Sequence, residues 1–170
     1  PRVTLPDETA PRGHSSDIIG QVSVAMYRNW HIDVAQQWNP HNHDTVRHEL
    51  NLQYRPGGGR LINLGYRYRK DSLEQLEAAA VWPIDRRWRV FARNVYSLRD
   101  DEAIETFAGF EYTSCCWRAR LMGRRYVSSR TGERDNAIAF QLELLGLSSV
   151  GKSSDAFLER TIRGYSRDLD

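Results

Sequence analysis

Apolar and polar residues alternate with a period of two along most of this chain, which is the periodicity of β-strands with one apolar and one polar face. Spacing typical of a helix is absent until after Leu145. The alternation predicts an all-β protein, an antiparallel up-and-down meander of about nine long strands. Most of them have close to the roughly 9 to 11 residues that a tilted strand needs to cross a bilayer. The predicted strands are Ser16–Tyr27, Trp30–Trp38, Thr45–Arg55, Arg60–Lys70, Leu73–Trp82, Trp88–Leu98, Ala103–Thr113, Cys116–Val127 and Arg134–Leu145.

Collecting every second residue of these strands separates an apolar face from a polar one. The apolar face includes Val22, Val24, Leu50, Leu52, Ile62, Leu64, Leu76, Val90, Ala92, Phe110, Leu121, Phe140 and Leu142. In a transmembrane barrel such a face contacts lipid while the polar residues face the lumen. The polar residues predicted to face a lumen are Arg47, Glu49, Arg67, Arg69, Glu77, Arg89, Arg93, Glu105, Glu111, Arg118, Arg120, Arg124 and Glu143.

The connections alternate between tight turns and mostly longer, more polar loops. The tight ones are Arg28-Asn29, Pro56 to Gly59, Pro83 to Arg87 and Ser114-Cys115, and the others are Asn39 to Asp44, Asp71-Ser72, Arg99 to Glu102 and Ser128 to Glu133. Outer-membrane barrels have short periplasmic turns and longer external loops. The pattern therefore predicts that the tight turns lie in the periplasm.

Aromatic residues are concentrated at the predicted strand ends. Tryptophan and tyrosine favour the membrane interface, where the ring reaches the acyl boundary and its polar atom reaches water. We predict a second, looser girdle at the opposite strand ends, with Trp38, Tyr66, Tyr68, Tyr96 and Tyr126. The aromatic residues predicted at the interface beside the tight turns are Trp30, Tyr54, Trp82, Trp88, Tyr112 and Trp117.

Composition narrows the function classes less than the pattern does. The 24 basic residues are set against 22 acidic ones, for a net charge of +2, so there is no excess of basic residues of the kind that binds nucleic acid. The 40% of apolar residues suits a soluble protein and a membrane barrel equally. A soluble up-and-down barrel or sandwich, with the apolar face as its core, is the alternative fold.

The adjacent pair Cys115-Cys116 stands at a predicted periplasmic turn and contains the only two cysteines of the chain. Neighbouring cysteines do not readily bridge each other, because the ring closed across one peptide bond is strained. In an oxidising compartment each is expected to pair with a cysteine elsewhere. Two reduced thiols at a surface turn are the ordinary alternative, and the pair lacks the spacing of a metal site.

Two stretches resemble the LPS-assembly protein LptD family. The run from Thr106 to Arg118 contains Glu111-Tyr112-Thr113-Ser114-Cys115-Cys116, and the run from Phe140 to Gly151 contains Gln141-Leu142-Glu143-Leu144 followed by Gly146-Leu147. The tail Leu158 to Tyr165 continues the resemblance, which covers about Ser16 to Tyr165. The chain is similar to the C-terminal part of the barrel of that family.

The resemblance implies a Gram-negative outer-membrane translocon that assembles lipopolysaccharide into the outer leaflet. It implies an LptE-like lipoprotein plug inside the barrel, and an LptA-like periplasmic bridge that acts through an N-terminal jelly-roll domain. Carried over by the motif, Cys115 and Cys116 would form interdomain disulfides with cysteines near the N-terminus of the whole protein. A general porin or scaffold barrel, and a soluble ligand-binding β-barrel, are the alternative functions.

No enzymatic constellation is apparent, so we expect neither catalysis nor a cofactor. The arginines of the polar face could solvate the phosphates and carboxylates of lipopolysaccharide, or could pair with glutamates on neighbouring strands. His41 and His43, with His48 nearby, could ligate a metal, but histidines in an external loop need no such explanation. We therefore predict no metal site.

The ends of the chain have a different character from the strands. Residues 1–15 are predicted to be an extended lead-in, residues 16–145 to form the barrel strands, and residues 146–170 to be a periplasmic tail. Glycines and serines after Leu145 suggest a link. Ser154-Asp155 could then cap a short helix that buries Phe157, Leu158, Ile162 and Tyr165, the alternative being a disordered tail.

Overall fold

A computed structural model describes residues 17–40, 43–127, 133–145, 148–150 and 154–165. The predicted lead-in of residues 1–15 lies outside this part. Antiparallel strands follow one another in chain order in a single sheet, and the described part of the sheet does not close. The elements are β1 (Ile18–Met26), β2 (Trp30–Asn39), β3 (Asp44–Gly57), β4 (Arg60–Arg69), β5 (Leu73–Pro83), β6 (Trp88–Ser97), β7 (Glu102–Thr113), β8 (Trp117–Val127), β9 (Arg134–Leu144), β10 (Ser148–Val150) and α1 (Ser154–Thr161).

The predicted meander of nine long strands, followed by a short helix, is confirmed. A difference appears in the predicted link after Leu145, part of which forms the tenth strand. In β10, Ser148 pairs with Leu144 and Val150 pairs with Leu142, because the chain folds back along the free edge of β9. Among the described residues, no helix is long and apolar enough to cross a membrane.

The connections differ less in length than the sequence suggests. The turn at 84–87 is as long as the connection at 98–101, and the connection at 70–72 has three residues, like the turn at 114–116. At the glycine turn, Gly58 and Gly59 have φ angles of 61° and 74°, which the tight reversal between β3 and β4 requires. Loop length alone is therefore a weak guide to which end of the sheet lies in the periplasm.

The register places the predicted apolar residues of neighbouring strands side by side. Leu52 pairs with Leu64, and Leu64 pairs with Ala78. Register shifts at Gln37/Trp38 and Val95/Tyr96 fall near the strand ends and leave the apolar face intact. We call this side of the sheet the apolar face and the opposite side, which includes Arg93, the polar face.

Burial on the two faces is the reverse of that in a soluble sheet. Leu64 exposes 48% of its surface, while its neighbour Asn63 exposes 8%. On β9, Phe140 exposes 60% and Gln141 exposes 8%. The side chains packed together are therefore those of the polar face, and the apolar face is open.

The C-terminal segment, residues 154–165, packs against the polar face. Leu158 and Ile162 are fully buried and Tyr165 nearly so, and Phe157 packs against the same cluster. The predicted helix is confirmed, and of the residues predicted to be buried, Leu158, Ile162 and Tyr165 are buried while Phe157 is partly buried. The cluster is completed by residues of the sheet, namely Leu61, Ala79, Val81, Phe91, Phe107 and Met122.

Candidate functional site

A chain of ion pairs crosses the middle of the polar face. Arg93 Nε lies 2.8 Å from Glu77 Oε1, and Arg93 Nη1 lies 2.6 Å from Glu105 Oε2. Arg124 Nε donates to the other oxygen of Glu105, also at 2.6 Å. Four strands, β5 to β8, are thus linked by side chains that the sequence placed on one face.

A second cluster lies nearer the turns at 84–87 and 114–116. Arg120 donates to Glu111 through both Nε, at 3.0 Å, and Nη2, and the two side chains expose only 3% and 4% of their surface. Arg89 Nη1 and Arg118 Nε lie 3.7 and 3.9 Å from Glu111 Oε1. Arg118 also approaches Glu143, at 3.6 Å. These charges are compensated by one another and are withdrawn from solvent.

The remaining predicted lumen residues lie on the same face, and the three arginines among them are exposed. Arg47 and Arg67 lie 2.7 and 3.1 Å from Glu49 Oε1, and Arg69 is paired in register with Arg47. Of the two interpretations of the arginines, pairing with glutamates on neighbouring strands accounts for most of the contacts. The polar face is therefore a mixed-charge surface rather than a cationic one.

The six aromatic residues predicted at the interface lie on the apolar face at one end of the strands. The rings of Trp30 and Tyr54 are 4.4 Å apart, and Tyr112 lies 4.8 Å from Trp88 and 5.1 Å from Trp117. Trp82 lies under the guanidinium of Arg60, at 5.2 Å. The four tryptophans expose 38 to 40% of their surface, as side chains at an interface would.

Cys115 and Cys116 are free and exposed in the turn at 114–116. The turn is held by two backbone bonds, from Thr113 N to Arg87 O and from Ser114 N to Trp117 O, each 2.8 Å long. The two sulfurs are 2.8 Å apart, which is longer than the roughly 2.05 Å of a disulfide bond. Both thiols are therefore available to other cysteines.

The two thiols differ in acidity. The contact between the two thiols lowers the pKa of Cys115 and raises the pKa of Cys116. The thiolate is the reactive form in thiol–disulfide exchange, and this contact favours the thiolate at Cys115.

The histidines do not assemble a metal site in the part of the chain that is described. There, no group of three histidine, cysteine, aspartate or glutamate side chains could hold an ion. His43 packs edge-on against Trp38, with ring centres 6.0 Å apart, and His48 lies 6.2 Å from Tyr66. His41 falls outside the described residues.

Sequence reasoning missed an apolar row on the polar face. Leu61, Val81, Phe91, Gly109, Met122 and Ala139 follow one another in register from β4 to β9. Their signal was present in the sequence, because each stands at a position of the strand that the period of two assigns to polar residues. The docked C-terminal segment covers much of this row.

The comparisons with known proteins agree with this geometry. A family model described as LPS transport system D, LptD, matches residues 1–88. The chain is 37% identical over 98% of its length to the LPS-assembly protein LptD of Nitrosococcus oceani. It is also 37% identical over 96% of its length to that of Thiobacillus denitrificans, and 34% over 95% to that of Xanthomonas campestris pv. campestris.

The matched part is small relative to those proteins. The chain spans 22% of the first two relatives and 21% of the third, and it corresponds to their C-terminal part. Family model and relatives together cover nearly all of the chain described above. The chain belongs to the LptD family.

Proposed function

We propose that this chain is the C-terminal barrel portion of an outer-membrane translocon that assembles lipopolysaccharide into the outer leaflet. The observation that carries the proposal is the reversed burial of the two faces in a member of the LptD family. We assign the chain no catalytic role, since its relatives are named for assembly.

The apolar face is suited to contact lipid. Exposed side chains such as Leu64 and Phe110 lie between aromatic residues at one set of strand ends and further aromatics toward the other. A soluble ligand-binding barrel would direct these apolar residues inward and the arginines outward. The packing of the polar side chains against the C-terminal segment favours the membrane barrel.

The polar face is suited to line a path for a hydrated, anionic saccharide. Arginines that are already paired with glutamates, such as Arg67 and Arg93, can exchange partners with passing phosphates without holding them tightly. Such a wall solvates a sugar chain and its charges along the sheet. This property fits a conduit better than a high-affinity binding site.

We place the turn that carries Cys115 and Cys116 in the periplasm, and residues 146–170 would form a tail on that side of the barrel. The described segment 154–165 of this tail packs against the polar face. Each cysteine would bond to a cysteine near the N-terminus of the whole protein and so fix a periplasmic domain against the barrel mouth. An LptA-like bridge would deliver lipopolysaccharide to that domain, and an LptE-like lipoprotein would occupy the lumen.

The proposal is tested in the full-length protein by C115S with C116S. We expect the double variant to change its mobility in non-reducing electrophoresis and to lose the outer-membrane permeability barrier, although its barrel remains heat-modifiable. The single variants C115S and C116S are the controls and should retain transport through the remaining bond. A double variant with unchanged mobility and a normal barrier would contradict the proposal.

A general porin is the rival membrane function, and it requires neither the cysteine pair nor a plug. Purification of the full-length protein from outer membranes separates the two. We expect a lipoprotein to copurify in a fixed ratio. A barrel that purifies alone and conducts small solutes as isolated would favour the porin.

A further inference from the structure

Charged residues flank the apolar row on the polar face. On one side the register runs through Arg89, Glu111 and Arg120, and on the other Arg93 and Arg124 lie beside Phe107, which belongs to the apolar cluster. Apolar side chains exposed to a water-filled lumen are unfavourable, and they become favourable when another apolar surface covers them. The row is therefore a docking surface for another apolar segment. Pairing of the strands does not require it.

The C-terminal segment is the occupant of this surface. Leu158 and Ile162 have no exposed surface, and the Phe157 ring lies 5.3 Å from that of Phe107. The guanidinium of Arg124 lies over the Phe157 ring, 5.3 Å from its centre. Tyr165 extends the contact toward the buried ion pair, with its hydroxyl 3.4 Å from Arg120 Nη2.

Polar contacts hold the end of the segment. Asn63 Nδ2 and Gln53 Nε2 donate to the carbonyl of Arg163 at 2.8 and 3.2 Å, and Arg55 donates to the carbonyl of Gly164. Gly164 has a φ of 75°, and a Cβ there would lie 2.6 Å from Gln53 Nε2. The turn that ends the segment therefore requires glycine at position 164, and it packs closely against strand β3.

We propose that the C-terminal segment is a resident plug that narrows the lumen and limits the passive flow of small solutes along this wall. The proposal rests on the proposed function, in that the polar face must line a lumen. A docked helix is about 10 Å wide, so it projects from the wall into the passage by about that distance. The helix exposes Glu159 and Arg160, so the narrowed passage stays hydrated.

The segment is separable from the barrel because its contacts are all on the polar face. The strands are joined by their own backbone ladder, and the apolar row and the lipid-facing residues lie on opposite sides of the sheet. Releasing the segment should therefore open the lumen while the barrel remains folded.

The test uses the full-length protein purified from outer membranes with its bound lipoprotein and measures conductance in planar bilayers. L158D with I162D places two charges in the buried contact, and G164V disrupts the turn by strain. The control is E159Q with R160Q on the exposed side of the same helix. Release of the segment in G164V and in L158D/I162D is measured by trypsin cleavage after Arg160 or Arg163.

We expect both releasing variants to keep a heat-modifiable barrel, to become sensitive to trypsin in the tail, and to show a higher conductance than both the parent and the control. Cleavage of the tail with unchanged conductance would overturn the plug. Resistance to trypsin in both variants would overturn docking through these contacts, and loss of the folded barrel in both would show an assembly element instead. A parent protein that fails to insert would refute the proposed function, whatever the variants do.

Discussion

The two faces of the sheet differ in what covers them, and the contrast is clearest between adjacent residues of β7. Phe110 exposes 42% of its surface, whereas Glu111, the next residue, exposes 3% and contacts three arginines. On the polar face, stability comes from side chains that compensate one another and from the C-terminal segment. On the apolar face it must come from the surroundings. Removing a charge should therefore destabilise the polar face, whereas introducing a charge should destabilise the apolar face.

Removing a buried charge should have the largest effect. E111Q leaves Arg120 buried with a weaker partner, and breaking a buried pair costs about 3 to 5 kcal/mol. Urea unfolding of the full-length protein in liposomes measures this loss. The control is E49Q, because Arg47 and Arg67 expose 45% and 52% of their side chains and such pairs contribute about 0 to 1 kcal/mol. Similar losses in the two variants would contradict the burial contrast.

Introducing a charge on the apolar face should have the second-largest destabilising effect. L64R would place arginine in lipid near mid-membrane, at a cost of about 2 to 4 kcal/mol. N51R is the matched control, since Asn51 pairs with Gly65 at the same level of the polar face, beside Asp33 and Glu77. The yield of heat-modifiable barrel should fall sharply for L64R and little for N51R. Equal yields would show that the faces are wrongly assigned.

A smaller effect is expected at Gly109, in the apolar row. A Cβ there would lie 2.6 Å from two atoms of the Phe91 ring and 2.5 Å from the carbonyl oxygen of Leu121. G109A should therefore destabilise the barrel by about 1 to 3 kcal/mol through displacement of Phe91. G123A is the control, because nothing lies within 4 Å of a Cβ at Gly123. If both variants unfold at the parent's urea concentration, the packing of the row is not as tight as described.

The smallest effect concerns the turn at 84–87, which belongs to neither face. The backbone N–H groups of Arg87 and Trp88 donate to Asp85 and hold the pKa of its carboxyl below the ordinary 3.8. Because the folded pKa is lowered, the contribution is present above the ordinary value and is lost as pH falls through the lowered one. Amide exchange at Arg87 and Trp88 should show protection that decreases only below pH 3.8, and D85N should remove this pH dependence.

The sequence predicted those features that depend on local periodicity. The strands, the two faces and the buried residues of the helix all follow from spacing, since each strand sorts its own side chains. The docking of that helix on the polar face could not be predicted, because it depends on a match between Leu158 or Ile162 and residues about a hundred positions earlier, such as Leu61. For the same reason Asn63, which the sequence assigns to a hydrated surface, is buried beside the carbonyl of Arg163.

The residues of the candidate site could be predicted from the sequence, but the ion pairs that they form with one another could not. Spacing places Arg93, Glu77 and Glu105 on one face, but only the register brings them within reach of one another. The acidity difference between Cys115 and Cys116 likewise depends on the conformation of one turn. Their proposed disulfide partners lie beyond this sequence and cannot be read from it.

The central claim is that the apolar face contacts lipid while the polar face contacts water. Leu64 and Arg67 test it most directly, because they lie on opposite faces of β4 and have similar exposure, 48% for Leu64 and 52% for the Arg67 side chain. Nitroxide labels at L64C and R67C, in full-length protein in liposomes with its other cysteines oxidised, report collision with oxygen and with a water-soluble nickel chelate. We predict that oxygen relaxes the label at 64 more strongly and that the nickel chelate relaxes the label at 67 more strongly. Equal accessibility of both labels to the nickel chelate would contradict the account.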